Sequence, residues 1–338
     1  MKYEQTLKQL IIPSILMTSL SAVSVAQAAD PSHLEMAHNK GTFMIDVAAM
    51  RMNMDGLRSG TDDVNTADAT NMMGSYKNMM VPTEMTMDMF MLMPMYNFSK
   101  DLSGMLMVNY IDNSMEMTNG AGNCTSTMET SGLGDTQASL SYKFMDDYFA
   151  ASMEVSLPTG SIDEKTTMNM MMNGMCMEMD MFSPYAMQLG SGTYDVTPSL
   201  TYLGAYFSLR YGAQVSYKYR IGENDNGYTL GNEAKTKLWV RKPVSMVTLS
   251  AELDFKRWGD IEGVDTKVPT TMPSGMKGSP TAFTSNYGGT KADFTVGAEV
   301  PVAMAAVGLG VTFPIYQDLN GLQMKHNWSA ALSVSAMY

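Results

Sequence analysis

The most constraining feature of this sequence is a run of methionines at every second position between Glu84 and Phe98. Its members are Met85, Met87, Met89, Met91, Met93 and Met95. Successive side chains of a β-strand point to opposite faces, so these six share a face only if the segment is a strand. On a helix they would be spread around the axis. We therefore predict a strand with one methionine face and one face that becomes apolar and aromatic.

The flanking segments repeat the pattern. Met50 and Met52 share a parity opposite Val47, and Met105 and Met107 lie opposite Leu106. Methionine thus accompanies polar residues on one face and leaves the other face to aliphatic and aromatic residues. A sheet with two such faces needs two different environments.

The first residues predict export. Lys2 and Lys8 precede an uncharged run that ends in the small-residue pattern Ala26-Gln27-Ala28, which is typical of a cleaved secretory signal peptide. We assign residues 1–28 to that signal, 29–41 to a periplasmic segment and 42–338 to one β-domain. Charged residues make up only 17% of the chain, against about 25% in soluble domains. The net charge of -12 argues against nucleic acid as a partner.

The spacing of the strands predicts their topology. Short connections alternate with long ones, which is typical of a transmembrane barrel with tight periplasmic turns and long external loops. We therefore predict an all-β, antiparallel outer-membrane β-barrel of about 12 strands, embedded in the lipid bilayer. The predicted strands are 42–52, 84–97, 104–112, 133–144, 148–157, 193–202, 205–219, 233–241, 246–257, 290–299, 306–315 and 324–338.

The last strand supports this prediction. It alternates from Trp328 up to the terminal aromatic Tyr338 and resembles the C-terminal strand that the barrel-assembly machinery of bacteria recognises. In such a barrel, charged side chains avoid lipid and face the lumen. We expect inward orientations for Arg210, Lys218, Lys235, Lys237, Arg241, Glu252, Asp254, Lys256, Asp293 and Glu299.

The methionines allow two interpretations. Methionine is a flexible apolar filler, and a sequence biased towards it uses it wherever leucine would serve. A ladder of thioethers can also bind thiophilic ions such as Cu(I) or Ag(I). The third predicted external loop, 158–192, favours the second interpretation, because apolar residues crowd a segment expected to be exposed to solvent. The candidate ligands are Met170, Met172, Met175, Cys176, Met177 and Met179, with the ladder from Met85 to Met95 leading inward.

Cys124 and Cys176, the only two cysteines, leave two roles open. Both lie in predicted external loops of an exported chain, so they can form a disulfide or serve as metal ligands. The three histidines form no zinc-protease motif, and we find no nucleophile elbow, dinucleotide-binding turn or phosphate loop. No catalytic activity and no organic cofactor are predicted.

Several segments resemble the methionine-rich members of a known family. These are His38-Asn39-Lys40-Gly41, the run from Met50 to Thr61, the run from Val81 to Met87, and Ser131-Gly132-Leu133-Gly134-Asp135. The family consists of outer-membrane transporters named for the meta-pathway of phenol degradation. The match is dense over 40–145 and thin beyond. The resemblance implies a barrel that transports small molecules, either aromatic compounds or metal ions.

Three classes of function remain open at this point. The chain can be a channel or transporter for small molecules that also handles soft metal ions, or a passive uptake channel for hydrophobic aromatic compounds. It can be a metal-binding surface protein whose barrel is only an anchor. It can also be a purely structural or adhesive barrel.

Overall fold

The computed structural model describes residues 40–72, 79–172, 175–271 and 278–338. The predicted signal peptide and most of the segment 29–41 lie outside these residues. The strands are β1 (Phe43–Gly60), β2 (Asp62–Val64), β3 (Met80–Asn97), β4 (Leu102–Asn119), β5 (Thr125–Leu133), β6 (Thr136–Phe144), β7 (Phe149–Leu157), β8 (Lys165–Met172), β9 (Met175–Phe182), β10 (Tyr194–Tyr206), β11 (Leu209–Ile221), β12 (Tyr228–Thr229), β13 (Glu233–Val244), β14 (Val247–Trp258), β15 (Glu262–Gly263), β16 (Gly289–Val302) and β17 (Ala305–Met337).

Helical structure among the described residues is short. The helix α1 spans Thr66–Met72, and single 3₁₀ turns cover Tyr185–Met187, Pro280–Ala282 and Thr284–Asn286. Within the described ranges, no helix is long and apolar enough to cross a membrane.

Antiparallel pairing closes the sheet on itself. The order is β17-β16-β14-β13-β11-β10-β7-β6-β4-β3-β1, and β1 returns to pair with β17. At the seam the Phe43 N–H donates to the Tyr338 carbonyl at 3.1 Å, and the Tyr338 N–H donates to the Phe43 carbonyl at 2.8 Å. The predicted all-β antiparallel barrel is confirmed, while recognition of Tyr338 by the assembly machinery stays a prediction.

The strand β17 crosses the barrel wall twice. Its 33 residues would extend beyond 100 Å at about 3.3 Å per residue, far more than a membrane requires. Residues 305–319 pair with β16, and residues 323–337 pair with β1. The two halves of β17 therefore run in opposite directions. Gly321 adopts a φ of 60° where the chain reverses. The eleven strands of the circuit therefore make about twelve passes, as predicted.

Side-chain orientation follows the predicted alternation. Outward positions carry exposed apolar residues such as Val47, Leu92, Val215, Leu249 and Val296, which form the lipid-facing surface. All ten charged residues predicted to face inward are buried or half-buried. Five of them are buried, namely Lys237, Arg241, Glu252, Asp293 and Glu299.

Tight turns lie at one end of the barrel. The backbone turns at Met145, Phe207, Ser245 and Ala303 with positive φ angles of 53°, 52°, 59° and 55°, which are uncommon for residues other than glycine. The long connections lie at the other end. This confirms the predicted division into short periplasmic turns and long external connections.

Strands extend into two of the predicted external loops. The region 53–83 contains the end of β1, the short β2, α1 and the start of β3, and the region 113–132 contains the end of β4 and all of β5 but its last residue. The reason is that residues keep pairing above the lipid band, as Met85 does with Met115 and Met115 with Met128. The wall of the barrel therefore rises into the medium on this side.

The two outward-facing valines Val296 and Val302 on β16 provide a test of the membrane position. Val296 lies in the middle of the strand and Val302 at the periplasmic turn. Val296→Arg should lower the free energy of unfolding by about 2–4 kcal/mol and Val302→Arg by about 0–1 kcal/mol, because the cost of a lipid-facing arginine depends on depth. Guanidinium titration in lipid vesicles, followed by tryptophan fluorescence, measures both. Equal losses would contradict the proposed membrane position.

Candidate functional site

A methionine wall lines one side of the lumen on β1, β3 and β4. The register places Met44 beside Met95 and Met54 beside Met85, and Met95 beside Met105. Met85, Met91 and Met95 are each less than 5% exposed, and Met87, Met89 and Met93 are half-buried on the same face. All six residues of the predicted ladder thus face the interior.

The opposite wall carries paired charges on β10, β11, β13, β14 and β16. Lys237 lies 3.4 Å from Glu252, and Arg241 lies 3.9 Å from the same carboxylate. Lys235 pairs with Asp254 at 3.2 Å. The further pairs are Lys256 with Glu233, Lys291 with Asp293, and Arg220 with Asp195. Because opposite signs alternate, this wall is strongly polar without presenting one sign of charge.

The external loop 158–193 folds back over the lumen. Asp135, which follows β5, holds the base of this loop by accepting hydrogen bonds from Gly160 N at 2.9 Å and from Ser191 N at 2.8 Å. Further along the loop, Thr130 Oγ1 donates to the Met187 carbonyl at 2.7 Å. The loop is therefore tied to the rim of β5 at both points.

Three tyrosines join this loop to the other external connections. The ring of Tyr185 packs edge-on against Tyr228, with centroids 4.8 Å apart, and against Tyr287 at 5.6 Å. The Tyr287 hydroxyl accepts from Ala186 N at 3.3 Å and donates to the Thr281 carbonyl at 2.6 Å. Burial raises the pKa of Tyr228 to about 12, which disfavours ionisation of this phenol even more than in water. Together these residues form a roof over the barrel.

A cavity of about 330 Å³ lies beneath the roof. Most of its lining is apolar, and the methionine wall and the aromatic roof both contribute to it. The Trp258 indole N–H donates to the Tyr287 carbonyl, which fixes one aromatic wall. The lining residues are Met54, Pro82, Met85, Met87, Met115, Tyr185, Ala186, Leu230, Trp258, Thr281, Asn286, Tyr287, Leu322, Gln323 and Met324.

The predicted metal ligands of the third loop fall on a separate hairpin, β8–β9. Its register pairs Met170 with Met177, Met168 with Met179, and Met172 with Met175. The side chain of Met172 lies outside the described part of the structure. Residues directly opposite each other share a face, so the described thioethers of these pairs lie together.

The prediction for Cys176 requires a correction. Cys176 forms a disulfide with Cys124, with Cα atoms 5.6 Å apart. Its sulfur is therefore not available as a thiolate ligand. Of the two roles left open by the sequence, the structure shows the disulfide, which links the tip of the β4–β5 hairpin to β9.

The comparisons with known proteins agree with the barrel fold. An outer-membrane channel from Pseudomonas putida F1 superposes with a TM-score of 0.57 at 14% identity, covering 89% of this chain and 97% of that chain. The deltaS2 mutant of the TodX monoaromatic hydrocarbon channel gives 0.50 at 11% identity, covering 91% and 93%. No family profile and no curated protein sequence matches the chain.

At these identities the likeness concerns the fold. The closed barrel, its apolar outer surface and the similarity to outer-membrane channels point to the cell outer membrane. Both neighbours are described as channels.

The roof and its cavity were not found by sequence reasoning. Tyr185, Trp258 and Tyr287 lie in or beside long connections that the sequence marked only as loops. The available signal was the presence of aromatic residues in otherwise polar segments. Their convergence depends on contacts between residues about a hundred positions apart, such as Ala186 with Tyr287.

The ion pairs of the lumen give a stability test at Glu252, which is 2% exposed and contacts two cations. Glu252→Gln leaves Lys237 and Arg241 without this carboxylate and should lower the free energy of unfolding by about 3–5 kcal/mol. The matched variant Glu129→Gln changes an exposed glutamate on β5 and should cost about 0.5 kcal/mol or less. Denaturant titration measures both. A cost at Glu252 no larger than at Glu129 would contradict the buried network.

Proposed function

We propose that this protein is a passive outer-membrane channel for small hydrophobic molecules of the size of one aromatic ring. The observation that carries the proposal is the apolar cavity of about 330 Å³ between the roof and the methionine wall. Of the functions that the sequence left open, this is the uptake channel for aromatic compounds.

The size of the cavity fits such a ligand. An apolar cavity of about 150 Å³ in another protein is sufficient to bind benzene. Binding sites for small molecules generally begin at about 300 Å³. The cavity therefore accommodates a substituted single ring, whereas a larger hydrophilic solute would meet too few polar partners.

The chemistry of the lining fits as well. Methionine sulfur contacts aromatic rings favourably, by about 0.3–1.5 kcal/mol per contact, and adapts to ligands of different shape. Trp258, Tyr185 and Tyr287 add aromatic faces, while Asn286 and Gln323 supply a few polar groups. This combination of an apolar lining and few polar groups is typical of sites for small organic ligands.

The methionine wall continues the apolar surface towards the periplasmic end. Met91, Met95 and Met105 belong to a second buried cluster with Met44 and Met50. Because each contact with such a surface is weak, a ligand can leave one methionine for the next and so move along the wall. In the charged wall opposite, cations and carboxylates form ion pairs with each other. We therefore expect a neutral apolar solute to contact the methionine wall rather than the charged one.

The fold similarity supports the proposal at a coarser level. The TodX neighbour is described as a monoaromatic hydrocarbon channel, and it shares the barrel architecture. A purely structural barrel would have no need of a roofed apolar cavity connected to a methionine wall.

Ala186 offers a way to fill the cavity without altering the barrel. Its backbone N–H bonds to Tyr287 and its side chain lines the cavity, so Ala186→Trp should occupy the space intended for a ligand. In a Gram-negative host that oxidises toluene inside the cell, the wild-type protein should raise the rate of product formation at limiting toluene. The variant should return this rate to that of cells lacking the protein.

Ala151→Trp is the matched control, because Ala151 is exposed on the outer face of β7. It should retain wild-type uptake at equal surface levels. The proposal would fail if the wild-type protein gave no increase over cells lacking it, or if Ala186→Trp and Ala151→Trp behaved alike.

A further inference from the structure

We propose that the β8–β9 hairpin and the rim of the barrel form a binding site for a soft monovalent cation, Cu(I) or Ag(I). The site includes Met80 at the external end of β3, whereas the ladder residues Met85 to Met95 further along that strand do not line it. Its test does not depend on the channel function.

The hairpin presents thioethers on both of its strands. Met168 and Met170 on β8 are each 6% exposed, whereas their partners Met179 and Met177 on β9 are 39% and 48% exposed. Cross-strand Cβ atoms lie about 4.5–5.5 Å apart. Each pair therefore joins a buried sulfur to one that is accessible from the medium.

A small cavity lies behind Met168 and Met170, between the hairpin and the rim. Its volume is about 40 Å³, which is room for an ion or a few waters but too small for an aromatic ring. Seven methionines line it: Met79, Met80, Met117, Met128, Met168, Met170 and Met181.

The donors select the type of ion. Thioethers are neutral and soft, so they bind Cu(I)-like ions and discriminate against Mg²⁺ and Ca²⁺, which require oxygen ligands. Among the described residues, no group of three or more His, Cys, Asp or Glu side chains could hold a metal ion. The hydroxyls of Ser279 and Thr281 in the lining do not make a site for a hard cation.

The walls of the cavity are fixed in place before an ion arrives. The Cys124–Cys176 disulfide links β9 to the tip of the β4–β5 hairpin, which carries Met117 and Met128. Asn169 N also donates to Ser126 Oγ at 2.8 Å. A preorganised ligand set loses less conformational entropy on binding.

The charge of the surroundings favours a cation. Glu178 and Asp180 are exposed on β9, and the whole chain carries a net charge of -12. Such a field raises the local concentration of cations. The cysteines contribute rigidity, and methionine alone supplies the sulfur ligands.

Silver provides the sharper probe, since Ag(I) requires no reductant and the disulfide stays intact. Purified protein in detergent and chloride-free buffer is titrated with Ag(I) by calorimetry. In parallel, ¹³C-methyl NMR of labelled methionines identifies the residues affected. The wild-type protein should bind Ag(I), with shifts concentrated on the methionines of the small cavity.

Met168→Leu combined with Met170→Leu keeps the apolar bulk and removes two sulfurs. The affinity for Ag(I) should fall about tenfold or more. Removing a group that only supports a metal ligand already lowers metal affinity about tenfold, so the loss of two ligands should cost at least as much. The control variant replaces Met145 and Met304, which are exposed in periplasmic turns, by leucine and should bind like the wild-type protein. If the first variant does not fold, as judged by heat-modifiable migration in electrophoresis, Met117→Leu with Met128→Leu tests the opposite wall.

Three results would overturn the proposal: no Ag(I) binding by the wild-type protein, equal affinity after removal of the cavity sulfurs, or shifts confined to methionines of the turns. None of these results bears on toluene uptake, and a failure of the uptake test leaves the silver titration unaffected.

Discussion

The rest of the structure depends on one constraint, the need of every backbone N–H and C=O to find a partner inside the hydrocarbon layer. An open sheet would leave two edges unpaired in lipid, and only closure removes them. Here the pairing of β1 with the end of β17 supplies that closure, from Met44 beside Met337 onwards. Once the sheet is closed, each strand has a lipid face and a lumen face, and this division governs every other residue choice.

The two halves of the lumen use this division differently. On β1, β3 and β4 the inner positions carry methionine, which fills the interior without charge. On β11, β13, β14 and β16 they carry alternating cations and carboxylates that compensate each other. An apolar guest can therefore follow the methionine side, while the paired side stiffens the barrel through interactions such as Lys237 with Glu252.

Both proposed binding sites lie above the lipid band, where the strands extend beyond the membrane. There the roof of tyrosines and the disulfide-bound hairpin enclose cavities of about 330 Å³ and 40 Å³. This difference in volume is the basis for proposing a ring as the ligand of the larger cavity and an ion as the ligand of the smaller one. Methionine lines both, because a flexible and polarisable side chain suits either.

The sequence by itself determined the barrel, its orientation and the inward direction of its charges. Side chains alternate between the two faces of any β-strand, and this alternation can be read from the local sequence. The division into short turns and long connections was readable for the same reason. It did not determine that Met85 and Met115 pair above the membrane, that Cys176 bonds to Cys124, or that Ala186 meets Tyr287. These contacts join residues tens of positions apart, so the local sequence does not specify them. The closed barrel determines them, because it fixes which loops meet over its external end.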